Sequence, residues 1–298
     1  MKLRIGLLLC LGLVAVGLQA GKAPRLLIRI DDLGMTHAVN MAAQQVVEQG
    51  FPLNATVMFA CPWYQEAVAV LKDKPQVSVG VHLVLNSEWV NYRWGPVAGV
   101  CAVPSLVDEN GFFWANHKLF DAHAIKLPEV EAELRAQLQR ALRSGIRIDS
   151  MDPHMGTATG TPELRAISEK LANEYQLAQP HYFGEIAGSL FEEQPENKTK
   201  ALVKFVEDMK DDGLYLMVIH TGLEDPEMNA LRDADNVLMQ GKKDESVVSR
   251  HRHAELKALI SEEFKQAVKK RGAKLITYRD LAKKPGLLAM KRPEMPKK

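Results

Sequence analysis

Residues 25–37 read RLLIRIDDLGMTH, and this stretch decides the fold. The apolar residues at 25–30 predict a short buried strand, and the glycine and threonine that follow predict a tight turn into a helix. Two carboxylates, Asp31 and Asp32, come directly after the strand. Crowded carboxylates repel one another and raise one pKa, and a divalent cation would relieve that cost. A second interpretation is that the pair only caps the following helix.

The rest of the chain alternates short apolar runs with amphipathic segments. Further strands are predicted at residues 55–59, 77–83, 146–151, 214–219 and 274–277, and helices at 38–48, 64–72, 129–144, 162–177 and 253–271. Such alternation is typical of parallel strands joined by crossover helices. It predicts an α/β protein, either a barrel or a doubly wound sheet, and leaves open one large domain or two small ones.

Histidine and acidic side chains stand at the ends of three further predicted strands. His82 lies at the end of the strand predicted at 77–83, Asp152 and His154 follow the strand at 146–151, and His220 follows the strand at 214–219. The carboxyl ends of parallel strands meet on one face, where catalytic groups collect. One carboxylate and two imidazoles can hold a divalent metal and leave positions for water and substrate, while a second carboxylate acts as a base. Taken alone, each of these residues could also be an ordinary structural residue whose polar atoms are hydrogen-bonded within the protein.

A long irregular segment, residues 86–123, interrupts the alternation. Its Trp, Gly, Pro and Asn content predicts a loop insertion over one end of the sheet, within a core of about residues 25–281. The segment contains three of the four tryptophans, whose faces suit stacking on sugar rings, although ordinary packing explains them as well. The four are Trp63, Trp89, Trp94 and Trp114.

The first twenty residues have the pattern of a secretory signal peptide. Lys2 and Arg4 precede an apolar stretch over residues 5–18, and the small residues Ala20 and Gly21 follow it. The stretch is shorter than the roughly 20 residues that span a bilayer. We therefore expect an exported protein, periplasmic or secreted, without stable membrane association after the segment is removed. A retained membrane anchor is the alternative.

Composition excludes some classes of function. The 38 basic residues balance 37 acidic ones, so no nucleic-acid surface is expected. After removal of the signal, Cys61 and Cys101 remain; they have no zinc-finger spacing, and they could pair in an oxidising compartment. Residues 250–253 are predicted to be the exposed start of the last long helix, and a binding role for Arg252 is left open.

Four motifs resemble those of the YdjC-like carbohydrate deacetylases, a family that includes chitooligosaccharide deacetylases. Their order and spacing agree with the family over most of the chain, from about residue 25 to residue 281. The motifs are Asp31-Asp32-Leu33-Gly34 with the following Val39-Asn40, Gly80-Val81-His82-Leu83, Asp152-Pro153-His154, and His220-Thr221-Gly222.

The resemblance implies a fold, a metal site and a reaction. The fold would be a distorted, TIM-like (β/α) barrel with fewer than eight strands, in one domain over residues 21–298. A divalent metal, Mg²⁺ or Zn²⁺, would be held by Asp32, His82 and His154. Asp31 would be the catalytic base, and His220 would be the general acid or would orient the tetrahedral intermediate. The reaction would remove an N-acetyl group from an amino sugar or oligosaccharide, and a homodimer is left open.

The chain departs from the family pattern at four positions. Ser150, Met155 and Gly156 stand where the family often has histidine, and Thr221 stands where it usually has proline. These changes leave the three implied ligands intact and bear on the substrate and on the surroundings of the metal. Two other functions stay open. A metal-dependent phosphoesterase would favour Lys or Arg near the metal, and no such residue is expected to adjoin the motifs. A catalytically silent protein would only bind sugar.

Overall fold

The computed structural model describes residues 21–234, 247–283 and 286–294. The predicted signal peptide, residues 1–20, lies outside the described residues. None of the helices in the described ranges is long and apolar enough to cross a membrane.

A parallel β-sheet forms the centre of the protein. Six strands follow one another in the order β4-β3-β2-β1-β6-β5, and β7 pairs with the first three residues of β1. The sheet curls into part of a barrel, which confirms the expected distorted barrel with fewer than eight strands. The strands are β1 Arg25–Leu33, β2 Leu53–Val57, β3 Val77–Leu83, β4 Ser150–Pro153, β5 Ile186–Ser189, β6 Leu214–Ile219 and β7 Lys274–Ile276.

Helices pack around this sheet. They are α1 His37–Val47, α2 Tyr64–Leu71, α3 His117–Ala122, α4 Leu127–Arg143, α5 Pro162–Tyr175, α6 Lys198–Glu207, α7 Pro226–Asn229, α8 Val247–Ile260, α9 Glu262–Arg271 and α10 Tyr278–Leu281. The hydroxyl of Thr36 accepts a hydrogen bond from the Val39 N–H and so begins α1. Because Thr36 caps this helix, the interpretation of Asp31 and Asp32 as its cap is wrong.

The central strand β1 explains why residues 25–37 decide the fold. All of its residues after Arg25 are buried, because it pairs with β6 on one side and with β7 and then β2 on the other. The sequence of a strand that is buried on both faces is a nearly continuous run of apolar residues, whereas a half-exposed strand alternates apolar and polar residues.

The predicted elements differ from the structure in several places. The strand predicted at 146–151 begins only at Ser150, where pairing with β3 starts. The helix predicted at 253–271 is two helices, because the Ser261 hydroxyl accepts from the Phe264 N–H and starts α9. β5 and α6 were not predicted; β5 is mostly exposed and lacks an apolar run.

The irregular segment 86–123 covers the carboxyl end of the sheet, and it contains the short helix α3. Glu133 of α4 anchors it: the Glu133 carboxylate, itself buried, accepts hydrogen bonds from the backbone N–H groups of Val97 and Ala98. Trp94 is buried and donates its indole N–H to the Asn86 carbonyl, 2.8 Å away. The segment is therefore a fixed wall above the strand ends.

Candidate active site

A β-bulge brings the two adjacent carboxylates into one site. In a regular strand, Asp31 and Asp32 would point to opposite faces of the sheet. Here the register of β1 against β2 shifts between Ile30 and Leu33, and Asp32 has a left-handed backbone with φ 67°. Bulges of this kind re-aim side chains, and aspartate tolerates the left-handed region better than most residues. Both carboxylates consequently line the same cavity.

Three buried atoms form a nearly equilateral triangle at the centre of this site. The Oδ1 atom of Asp32 lies 3.3 Å from the Nε2 atom of His82 and 3.3 Å from the Nδ1 atom of His154. The two ring nitrogens are also 3.3 Å apart. The three side chains come from the ends of β1 and β3 and from the turn after β4, which is the convergence that the strand pattern predicted.

The triangle fits a divalent cation. Asp32 Oδ1 is buried and has no hydrogen-bond partner among the described residues, although it faces two imidazole nitrogens. The centre of such a triangle is about 1.9 Å from each corner, close to the Zn–N and Zn–O distances of about 2.0–2.1 Å. The three residues are at most 5% exposed. The implied ligand set is therefore assembled in the fold.

Each of the three proposed ligands has a buried charged neighbour on its far side. The Nδ1 atom of His82 lies 2.9 Å from an Asp152 carboxylate oxygen, and the Nε2 atom of His154 lies 3.0 Å from Glu88. Arg252 donates to the Oδ2 atom of Asp32 over 2.6 Å. Carboxylates behind metal-ligating histidines fix the ring orientation and raise the basicity of the ligand.

These neighbours also set the charge of the metal-free site. Burial alone would lower the pKa of His82, but the charges of Asp152 and Asp31 raise it to about 10. Burial opposes the shift of His154 as well, and Glu88 and Asp32 raise its pKa to about 9. Burial alone would raise the pKa of Asp32, but Arg252 and the two imidazoles hold it well below its usual value. The pKa values of both imidazoles in the metal-free site therefore lie above neutral pH.

Asp31 stands beside the triangle and is held by its own partners. Arg29 binds it in a bidentate manner, with Nε and one terminal nitrogen each 2.7 Å from a carboxylate oxygen. The Thr56 hydroxyl donates to the Oδ1 atom over 2.9 Å. Fork geometry of this kind fixes a carboxylate in one orientation.

A second group of possible ligands, Asp31, His82 and Asp152, overlaps the first. The Arg29 guanidinium already lies between its two carboxylates, 2.7 Å from Asp31 and 3.2 Å from Asp152. The Arg29 guanidinium therefore already balances the charge of this second group. Of the two groups found among the described residues, the triangle of Asp32, His82 and His154 is the one left for an ion.

His220 lies at the carboxyl end of β6 and lines the same cavity. Its backbone N–H donates to Glu255 over 2.6 Å, and its ring meets the ring of Phe191 edge-on, with centroids 6.2 Å apart. The structure thus brings the predicted general acid into the cavity that holds Asp31 and the triangle. The catalytic roles of His220 and Asp31 stay predictions.

The cavity has a volume of about 420 Å³, within the range of about 300–1,000 Å³ typical of ligand sites. Phe191 and Met155 at its lining are 43% and 42% exposed, so both present apolar surface to solvent. The remaining lining residues are Arg29, Asp31, Asp32, His82, Glu88, Trp89, His117, Pro153, His154, Val218, His220, Asp233 and Arg252.

Sequence reasoning missed several charged residues of the site. It placed Arg252 at an exposed helix start, but the side chain is buried against Asp32 and the Trp89 ring. It also took the lack of Lys or Arg in the motifs as evidence against a phosphoesterase, and this was wrong, because Arg29 and Arg252 line the cavity. Arg29 could have been found, since it lies two residues before Asp31 and so on the same face of a strand. Glu88, in the irregular segment, carried no such signal.

The two cysteines are not paired. Cys61 is buried, Cys101 is exposed, and both are free thiols.

Comparisons with known proteins agree with these motifs. The sequence profile described as "YdjC-like protein" matches residues 25–270. A carbohydrate deacetylase of Thermus thermophilus is 32% identical over 232 residues, which cover 70% of this chain and 81% of the relative. A carbohydrate deacetylase of Enterococcus faecalis is 27% identical over 87% of this chain and 98% of its own length.

A solved structure shares the fold. It is an Enterococcus faecalis protein described as a cellobiose-phosphate cleavage protein, with a TM-score of 0.68 and 24% identity. The match covers 87% of this chain and 99% of that protein.

Proposed function

The chain belongs to the YdjC-like protein family, and we infer that it is a carbohydrate deacetylase, a metal-dependent hydrolase that removes N-acetyl groups from amino sugars or oligosaccharides. One observation carries the inference: a buried triangle of one carboxylate oxygen and two imidazole nitrogens stands beside a separate, oriented carboxylate in an open cavity. Relatives that match most of this chain are carbohydrate deacetylases.

Asp32, His82 and His154 would hold the ion. When bound, a divalent ion polarises a carbonyl oxygen and lowers the pKa of water. Of the two ions expected, Zn²⁺ suits two imidazoles and one carboxylate better than Mg²⁺, which prefers oxygen ligands. Metal analysis of protein purified without added metal or chelator tests this preference.

The chain's own residues carry the proton transfers. Arg29 and Thr56 orient Asp31, which takes a proton from the attacking water. At the same time the water oxygen forms a bond to the acetyl carbonyl carbon. The carbon–nitrogen bond then breaks, and His220 gives a proton to the departing amine. Water has been added across the amide, and the products are acetate and a free amino sugar.

The two other functions are less well supported. Arg29 and Arg252 could bind phosphate in principle, but each already forms a short ion pair with a buried aspartate. A silent sugar-binding protein has no need of an oriented carboxylate beside the triangle.

One experiment separates the three functions. N-acetylglucosamine oligomers and sugar phosphates are incubated with the metal-loaded protein, with and without a chelator, and acetate and phosphate are measured. The deacetylase releases acetate only in the absence of chelator. Phosphate release would indicate the phosphoesterase, and binding without either product would indicate the silent protein.

Export is part of the proposal. The pattern of residues 1–20 supports cleavage after Ala20 and release into the periplasm or the medium. Mass spectrometry of the N-terminal peptide from the extracytoplasmic fraction tests it: cleaved protein supports export, and an intact N-terminus in the membrane fraction contradicts it.

A further inference from the structure

The proposed general acid lacks the usual means of orientation. A catalytic imidazole is commonly fixed by a hydrogen bond to its second ring nitrogen. The Nδ1 atom of His220 is buried and has no hydrogen-bond partner in the part of the chain that the structure describes. The position of this ring therefore depends on its backbone and on the surfaces packed against it.

A buried ion pair holds both of those features. Glu255 of α8 accepts the His220 backbone N–H with its Oε2 atom, 2.6 Å away, and pairs with the Lys198 ammonium through its Oε1 atom, 2.8 Å away. The same ammonium donates to the Leu190 carbonyl over 2.7 Å. Leu190 precedes Phe191, whose ring meets the His220 ring edge-on. One pair of charges thus fixes the backbone of His220 and the aromatic residue beside it.

Burial of this ion pair carries a cost in free energy of folding. Lys198 is fully buried and Glu255 is 2% exposed. The loss of hydration on burying two charges is often larger than the gain from their attraction. A protein with apolar residues of similar volume in their place can therefore be equally stable. The Glu255 oxygens and the Lys198 ammonium all have partners, and those partners lie at the ends of β5 and β6, beside the cavity.

We propose that Lys198 and Glu255 are positioning residues, which set the His220 imidazole for proton transfer to the leaving amine. The proposal rests on the proposed deacetylase function and on the role of His220 in it. It assigns a function to two residues whose hydrogen bonds, within the described part of the chain, go to Leu190, to His220 and to each other.

Two double variants isolate the hydrogen bond to His220. Lys198→Met/Glu255→Leu removes both charges and the acceptor of the His220 N–H. Lys198→Met/Glu255→Gln removes both charges but keeps an amide oxygen as acceptor. The exposed pair Lys204 and Asp208, on and just after α6, supplies the remote control Lys204→Ala/Asp208→Ala.

The measurement compares two acetyl substrates. An N-acetylglucosamine oligomer has a poor amine leaving group that needs a proton, whereas 4-nitrophenyl acetate has a leaving group that needs none. The ratio of the two turnover numbers does not depend on the folded fraction of a variant. Misplacement of a catalytic group by about 1 Å can cost about a hundredfold in rate. We expect the amide-to-ester ratio of the Leu variant to fall at least about tenfold below that of the Gln variant, with unchanged metal content.

Two results would overturn the proposal. One is an equal loss of amide and ester turnover in the Leu variant, which would indicate general damage. The other is a crystal structure of that variant with the His220 ring and the Phe191 ring in their original places. If the unmodified protein releases no acetate from the oligomer with metal supplied, it is the proposed function that fails, not the positioning.

Discussion

Metal binding is expected to release about two protons at pH 7. The pKa values of His82 and His154 in the metal-free protein are about 10 and about 9. Because pH 7 lies well below both values, both imidazoles are expected to be mostly protonated in the metal-free protein at that pH. A ligating imidazole must be neutral, so both protons leave as the ion enters. Because a doubly charged ion replaces two protons, the net charge of the buried site stays the same.

The same values predict how affinity changes with pH. Below about pH 9, each unit of pH raises the apparent metal affinity about a hundredfold, because two protons compete with one ion. The slope falls to about tenfold per unit between the two pKa values and vanishes above them. Isothermal titration of Zn²⁺ into metal-free protein, in buffers of different ionisation enthalpy, counts the protons directly.

Asp152→Asn is the matched variant. The charge of Asp152 is the largest of the contributions that raise the pKa of His82. Its removal lowers that pKa, so the pH range in which two protons are released should end at a lower pH than in the unmodified protein. Release of fewer than one proton per ion by the unmodified protein would contradict the expected protonation of both imidazoles in the metal-free site.

Three other predictions follow from the site. Asp31→Asn should keep its metal, as measured by elemental analysis, and lose about 10²–10⁴-fold in turnover, since a general base is removed; full activity would show that Asp31 is not the base. His82→Ala should lose the metal itself, whereas His37→Ala should keep it, because His37 is exposed and pairs with Glu66 away from the triangle; equal metal content in the two variants contradicts the ligand set. The metal-free protein should lose stability as pH rises: raised histidine pKa values add stability that is fully present below about pH 6.5 and is lost progressively up to about pH 9–10. Denaturant titrations of metal-free and metal-loaded protein at pH 6.5 and 10 check this, and a metal-free protein that is equally stable at both values refutes it.

The sequence predicted the parts of the molecule that local pattern determines. Strands β3 and β6 match their predicted bounds. In β3, valine alternates with Ser78, Gly80 and His82, and β6 is a continuous apolar run that ends directly before His220. The convergence of Asp32, His82 and His154 could be predicted because each lies at or just after the carboxyl end of a parallel strand, and these ends meet on one face. The sequence predicted that a helix starts near Thr36, but it did not show that Thr36, rather than Asp31 or Asp32, caps that helix.

The residues around the ligands could not be predicted in this way. Glu88 lies in an irregular segment, and Arg252 reaches Asp32 across 220 positions of sequence. Lys198 and Glu255 each look like ordinary charges on an amphipathic helix, and only the packing of α6 against α8 buries them together. Charge pairs between distant elements leave no periodic signal in a single sequence.

The central claim is that Asp32, His82 and His154 bind one catalytic ion. An anomalous-scattering map, recorded at the zinc edge from crystals of Zn²⁺-loaded protein, tests it most directly. We predict a single strong peak in the triangle, about 2.0–2.2 Å from Asp32 Oδ1, His82 Nε2 and His154 Nδ1. A triangle without a peak, or a peak between Asp31 and Asp152 in place of the Arg29 guanidinium, would contradict the account.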